Sequence, residues 1–533
     1  MAHRSALLCA AACSATAACF AFAVTLGACS SGSSTTSPPE NDAAADSEVD
    51  QTSPAIDSSV DSAIDSSVDS GSPSSDASLD TGTTDGPVAD TGAAAADSGA
   101  EGASDAAIDS GQPATYGDNG CTDGGAGYHD MTNPGCWTAM DLSTLATPGL
   151  PDAGGDAFGY NGGQFDGRYV YFVPSFQGAT PQTSVTDGVV LRYDTQGTFT
   201  APAAWSSFDA SKLTPTAGAG LRAQGFSGST FDGRYLYLAP NNNSVSPTAA
   251  ASSVAVVRYD TQSTFGSAGS WQVFDLNDTG TNAQSMAGAT FDGRYVYLMP
   301  SIELAIYALV PRFDTQSAAG FTSPSAWSTY NVSTDAGNAA YGFWGGVFDG
   351  RYVNFIPEQY QATRYDTLSD AGYDAAASWS SFALTAPDGG VNADGNRGGA
   401  FDGRYLYIAP GAGNAVVQFD THGSFDDPKA WLVYENPIGR FLGAAFDGRF
   451  VYFIPATGSV ISRYDTTAPF LSAGSWSSFD LSTTAGGASV NAFCGAVFDG
   501  RSLYLVPQDH GVVMRFDART PFAAPPENGG SFY

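Results

Sequence analysis

A seven-bladed β-propeller is the fold this chain predicts, on three observations. Phe-Asp-Gly-Arg begins at Phe165, Phe231, Phe291, Phe348, Phe401, Phe446 and Phe498. Arg-Tyr-Asp-Thr follows at Arg192, Arg258, Arg364 and Arg463, with variants starting at Arg312, Gln418 and Arg515. A Trp accompanies each unit, at Trp137, Trp205, Trp271, Trp327, Trp379, Trp431 and Trp476. Phrases recurring in fixed order every 45 to 66 residues mark a repeat architecture, in which stacked neighbours bury what one unit cannot.

Within a unit the strands are legible in order. A Gly-rich strand such as Tyr160 to Phe165 runs into Asp166-Gly167, a dipeptide of tight hairpins in which both central residues tolerate positive φ. The return strand, Arg168 to Val173, is aromatic and β-branched and is expected to stop at Pro174. Both its faces are apolar, so both need cover. A third strand ends in Arg-Tyr-Asp-Thr, and a fourth carries Trp-Ser-Ser-Phe. Seven antiparallel four-stranded units of this kind close as a propeller. Trp137 precedes the first Phe-Asp-Gly-Arg, and the seventh unit has no Trp after Arg515. The N-terminal Trp137 strand is therefore expected to complete the last blade and remove the open sheet edge.

The order Arg463-Tyr-Asp-Thr, Trp476, Gly495 and Leu503-Tyr504-Leu505 resembles the kelch repeat, and the resemblance spans roughly residues 137–518. The chain departs from kelch after the Tyr-containing strand, where a double glycine is replaced by Val-Pro, Ala-Pro, Met-Pro or Ile-Pro. Kelch-bladed copper oxidases use two His, two Tyr and a Tyr-Cys crosslink. No such set assembles here, since His129, His422 and His510 are scattered, and neither a cofactor nor a metal is expected.

Ahead of the repeats, residues 1–28 read as an export signal, with His3 and Arg4 before an apolar run from Ala6 to Val24. Leu26-Gly27-Ala28-Cys29-Ser30 resembles the lipobox of bacterial lipoproteins, although Cys9, Cys13 and Cys19 inside the run depart from it. The resemblance implies acylation of Cys29, a membrane anchor and, with Ser30 next, outer-membrane sorting. Residues 29–115 are Asp, Ser, Ala, Thr and Gly, with 17 acidic residues and no Lys or Arg between 30 and 115. Such a composition cannot bury enough surface to offset chain entropy and is expected to be a disordered tether, spanning on the order of 50 Å. Residues 116–533 form the propeller, expected to be a monomer. Cys121 and Cys136, 15 apart, are expected to pair in an oxidising compartment, and Cys494 to be a small buried hydrophobe.

The formal net charge is −34, and 13 of the 20 basic residues belong to the repeated phrases, which excludes nucleic acid as a partner. Charges identical in every blade belong to the scaffold. Function is sought where blades differ. Three residues before each Phe-Asp-Gly stands Gly (162, 228, 288, 345, 398, 443, 495), read as clearance around a central axis. One residue earlier come Asn161, Ser227, Ala287, Trp344, Arg397, Leu442 and Cys494. Trp344, Arg397, Arg222 and Arg440, with Gln224, Gln284, Tyr341, Asp394 and Asn491 at the strand starts, are expected around one mouth of the channel. An aromatic, several Arg and amides around a concave mouth suit a glycan, a peptide or an anionic group. Channel filling is the competing reading of these side chains.

These observations predict a lipid-anchored binding or scaffold module of the cell envelope with a glycan or protein ligand. Two alternatives stand beside it: a purely structural surface protein, and a polysaccharide hydrolase or lyase using Glu303, Glu358 or Glu435.

Overall fold

The structure, a computed structural model, describes residues 121, 127–145, 158–177, 185–213, 222–241, 254–281, 285–301, 308–335, 342–359, 361–384, 395–412, 415–435, 439–484, 486, 490–508 and 511–520. The signal, Cys29 and the acidic segment lie outside these residues, as do Gln284, Glu303, Tyr341 and Asp394.

Seven antiparallel sheets follow one plan. In blade 2 the strands are Phe226–Phe231 (inner), Tyr235–Pro240, Ala255–Asp260 and Trp271–Asp275 (outer), hydrogen-bonded in chain order. Each inner strand neighbours the inner strands of the blades before and after it, and the cycle closes between Phe493–Phe498 and Phe158–Phe165. Closure follows the sequence prediction. Trp137–Asp141 pairs with Val512–Asp517 as the outer strand of blade 7, with Trp137 opposite Phe516. Blade 1 departs in one respect: its second strand, Tyr169–Gln177, runs past Pro174 and takes a fifth strand, Val185–Thr186, at its far end. In the other six blades that strand ends on the Pro.

The core is the set of blade-to-blade interfaces, which explains why the second strands are apolar on both faces: they are buried along nearly their whole length. The repeated Trp sets the outer part of each interface. Its indole N–H donates to the carbonyl six residues upstream, at 2.8 to 3.0 Å in all seven units. Its ring stacks on an aromatic of the preceding blade's outer strand: Trp271 on Phe208 at 4.5 Å, Trp327 on Phe274 at 4.9 Å, Trp476 on Tyr434 at 4.4 Å. Each such pair contributes ~1 kcal/mol beyond the area it buries. At the closure Trp205 shares a buried cluster with Met140 of the N-terminal strand instead.

Candidate functional site

The two ends of the axis are built differently. At one end lie the seven Asp-Gly-Arg turns. Their glycines take φ of 96° to 102°, but their aspartates stay out of the left-handed region, which Ala492 is the only described non-glycine residue to occupy. The expected pair of positive-φ residues is thus corrected. The aspartate caps the turn with its side chain, Asp166 Oδ1 accepting the backbone N–H groups of Arg168 at 2.8 Å and Tyr169 at 2.6 Å. Its other oxygen accepts the Tyr171 hydroxyl at 2.6 Å. The same bond comes from Tyr237, Tyr297, Tyr407, Tyr452 and Tyr504, and from the Asn354 amide in blade 4.

Each turn arginine forks onto the aspartate of the second phrase, Arg234 donating from Nε at 3.3 Å and from Nη2 at 2.8 Å to Asp260. That hydrogen-bonded guanidinium holds the Asp260, Asp314, Asp366 and Asp420 carboxyls below their usual range. The second-phrase arginines clasp neighbouring blades. Arg192 lies 4.1 Å from both the Tyr169 ring and Phe265 of the next blade, and Arg312 sits likewise between Tyr295 and Tyr373. The repeated charges are consumed by the scaffold, as expected.

This face is open in five blades and covered in two. The turn-arginine side chains are 51% to 54% exposed in blades 1 to 5, but 30% and 18% exposed in blades 6 and 7. Tyr128 packs edge-on against Phe450, Arg519 stacks over Tyr128, and Arg519 Nη1 donates to the Asp447 carbonyl at 3.0 Å. The predicted Cys121–Cys136 disulfide pins this covering segment beside the closing strand. Under the cover, burial pushes the Asp447 and Asp499 carboxyls up.

At the other end the inner strands begin and the loops after the strand-ending prolines emerge. Every inner strand carries a β-bulge, with one extra residue between the positions opposite the Pro and two before it. The invariant glycines sit in these bulges. Six of them (162, 228, 345, 398, 443 and 495) have φ between 72° and 99°, a left-handed backbone that favours a residue without a side chain. The bulge turns the preceding residue toward the axis, where Ala287, Trp344, Leu442 and Cys494 from four blades form one apolar cluster.

Trp344 is 4% exposed, which corrects its expected place on the rim: it plugs the channel. A cluster that draws residues from blades 3, 4, 6 and 7 lies across the axis. Cys494 is buried, as expected. From blades 1 and 2, Asn161 Oδ1 and Ser227 Oγ are buried without a hydrogen-bond partner among the described residues.

Above the plug, Arg397 lies flat on Trp344, its guanidinium carbon 3.6 Å from the ring centroid. Its Nη1 donates to Glu358 Oε1 at 2.7 Å. Glu358 is held in turn: its N–H donates to the Gly342 carbonyl at 3.3 Å, and its carbonyl accepts the Gly395 N–H at 2.8 Å. A Cβ at Gly411 would collide with the Arg397 stem, so this glycine makes the room in which the arginine lies. Trp344 and Arg397, both candidates from the sequence, lie together, and Glu358, which the sequence offered only as a hydrolase or lyase carboxylate, joins them. One signal was available: Glu358 stands where the other blades carry Ser175, Asn241, Ser301, Gly411, Ala456 and Gln508. Of the remaining rim candidates, Arg222 and Asn491 are exposed, Arg440 is half-buried and Gln224 is buried.

No protein-family model matches the chain, and no curated protein matches its sequence. Among solved structures it is similar to virginiamycin B lyase from Staphylococcus aureus, at 12% identity over 72% of this chain and 98% of that one, TM-score 0.45. It is also similar to YCF48 from Cyanidioschyzon merolae (13%, 71% and 98%, TM-score 0.44). The periplasmic gluconolactonase of Pseudomonas aeruginosa is a third (17%, 57% and 80%, TM-score 0.37). Likenesses of this degree say nothing about what the chain binds or does. By its own seven four-stranded blades the chain is a β-propeller.

Proposed function

We propose that the protein is a binding module of the bacterial cell envelope, anchored through an acylated Cys29, carried on the acidic segment 29–115, and recognising a glycan or protein partner at the strand-start mouth of a kelch-like propeller. The observation that carries this reading is the Arg397, Trp344 and Glu358 cluster. The repeated charges have structural partners in blade after blade, whereas this cluster occurs once, at the axis, among loops that differ between blades. Binding sites are expected on variable loops held by a rigid frame. The loop carboxylates offer the hydrolase or lyase reading no comparable support. Glu358 is engaged by Arg397, and Glu435 ends an outer strand, exposed.

Two experiments test the reading. Cys29→Ser is expected to move the protein from the membrane fraction to the soluble fraction and to abolish fatty-acid labelling. A panel of envelope glycans and soluble envelope proteins is expected to contain a saturable ligand of the full chain that Arg397→Ala loses while its melting profile is retained. Failure of every panel member to bind a folded chain would remove the binding reading.

A further inference from the structure

We infer that the ligand received at this mouth presents a carboxylate, as an acidic sugar does, and that Arg397 takes it with the part of its guanidinium that Glu358 leaves over. The inference rests on the binding-module reading and gives that site a ligand chemistry.

Three features make Arg397 a prepared receptor. Its stem is confined by Gly411, its plane rests on the Trp344 indole, and its Nη1 is tied to Glu358. The side chain is 20% exposed, so most of the entropy an arginine normally loses on capturing a ligand is already lost. A guanidinium has five N–H donors in a planar fork. The turn arginines spend the Nε and Nη2 edge on an aspartate, as Arg234 does on Asp260. Arg397 is held from Nη1, and its Nε and Nη2 edge, the edge that matches a planar carboxylate in two parallel bonds, is not used by Glu358. Exposed Arg222 and Asn491 precede the inner strands of blades 2 and 7, at the same end of the ring.

Glu358 is then an internal competitor as well as a holder. Changing Glu358 to Gln keeps an oxygen to accept from Nη1 and removes the charge that opposes an incoming anion. The variant is expected to bind carboxylates more tightly, a result that a merely structural ion pair does not predict.

The test is calorimetric titration of the full chain with D-glucuronate and D-galacturonate, beside D-glucose and sulfate at matched ionic strength. Expected are saturable binding of a uronate and none of glucose or sulfate, a loss of about tenfold or more in Arg397→Gln, and a gain of several-fold in Glu358→Gln. Equal binding of glucose or sulfate, unchanged uronate affinity in a folded Arg397→Gln, or no uronate binding by the wild type overturns the inference. Should Arg397→Gln fail to fold, Glu358→Gln decides, and unchanged or weaker uronate binding counts against it. A panel partner bound independently of Arg397 sinks this inference and leaves the binding module standing. No panel partner at all sinks both.

Discussion

The two ends of the propeller axis use the same residue type to opposite purposes. At the turn end, seven arginines each donate two bonds to an aspartate on the adjoining strand of the same blade, and six more arginines and one glutamine stand behind them. At the strand-start end a single arginine lies across a tryptophan that no other blade possesses. Repetition at the first end makes every charge a structural part of a ring. Singularity at the second makes the charge available. Conspicuous charge in a repeat protein is therefore a poor guide to function, and the departure from the repeat a better one.

The largest effect is expected where the comparison is most exposed to failure, at the plug. Trp344→Ala removes a fully packed side chain from the axis and is expected to cost about 3–5 kcal/mol in chemical denaturation. A loss below ~1 kcal/mol would mean that the channel is not plugged by it and that Trp344 is free to meet a ligand.

The turn end contains its own contrast. Asp499 is buried and accepts the Arg501 and Ser502 N–H groups and the Tyr504 hydroxyl, at 2.8, 2.6 and 2.8 Å. Asp232 makes the same three bonds in a partly exposed turn. Asp499→Ala leaves its donors without water and is expected to cost about 3 kcal/mol, against about 1 kcal/mol for Asp232→Ala. Equal costs would mean that the burial of the Asp499 turn contributes nothing.

A smaller, pH-dependent effect sharpens the same contrast. Asp260, Asp314, Asp366 and Asp420 have lowered pKa values in the folded chain. Their contribution to stability is present above the ordinary carboxylate range near 4 and is lost as pH falls through the folded values. Asp447 and Asp499, raised by burial, have the opposite sign: their contribution is present at low pH and is lost as pH rises through the raised values. Denaturation between pH 6 and pH 3 is expected to show stability falling with acid, because the lowered group is the larger. Removing the arginine partners in blades 2 to 5 is expected to flatten that fall. An unchanged slope in the variants would show that the ion pairs are not its source.

Much of this was legible in the sequence because it is stated seven times. The four strands of a blade, the closing role of Trp137, the scaffold role of the repeated charges and the Cys121–Cys136 pair follow from order and spacing. What escaped depends on geometry that no spacing encodes. The turn aspartates avoid positive φ because their carboxylates are already engaged as caps, which Asp-Gly by itself does not reveal. The bulge at each inner strand, not the alternation of the strand, decides that Trp344 points at the axis instead of the rim. Glu358 and Arg397 are 39 residues apart on neighbouring blades, joined only when blades 4 and 5 pack side by side.

The most direct measurement of the central claim compares the two ends in one assay: equilibrium binding of envelope glycans and proteins to the full chain, to Arg397→Gln and to Arg234→Gln. The account predicts a partner that Arg397→Gln loses and Arg234→Gln keeps, with both variants folded. Loss of binding in Arg234→Gln with retention in Arg397→Gln would contradict it and place recognition on the repeated turns.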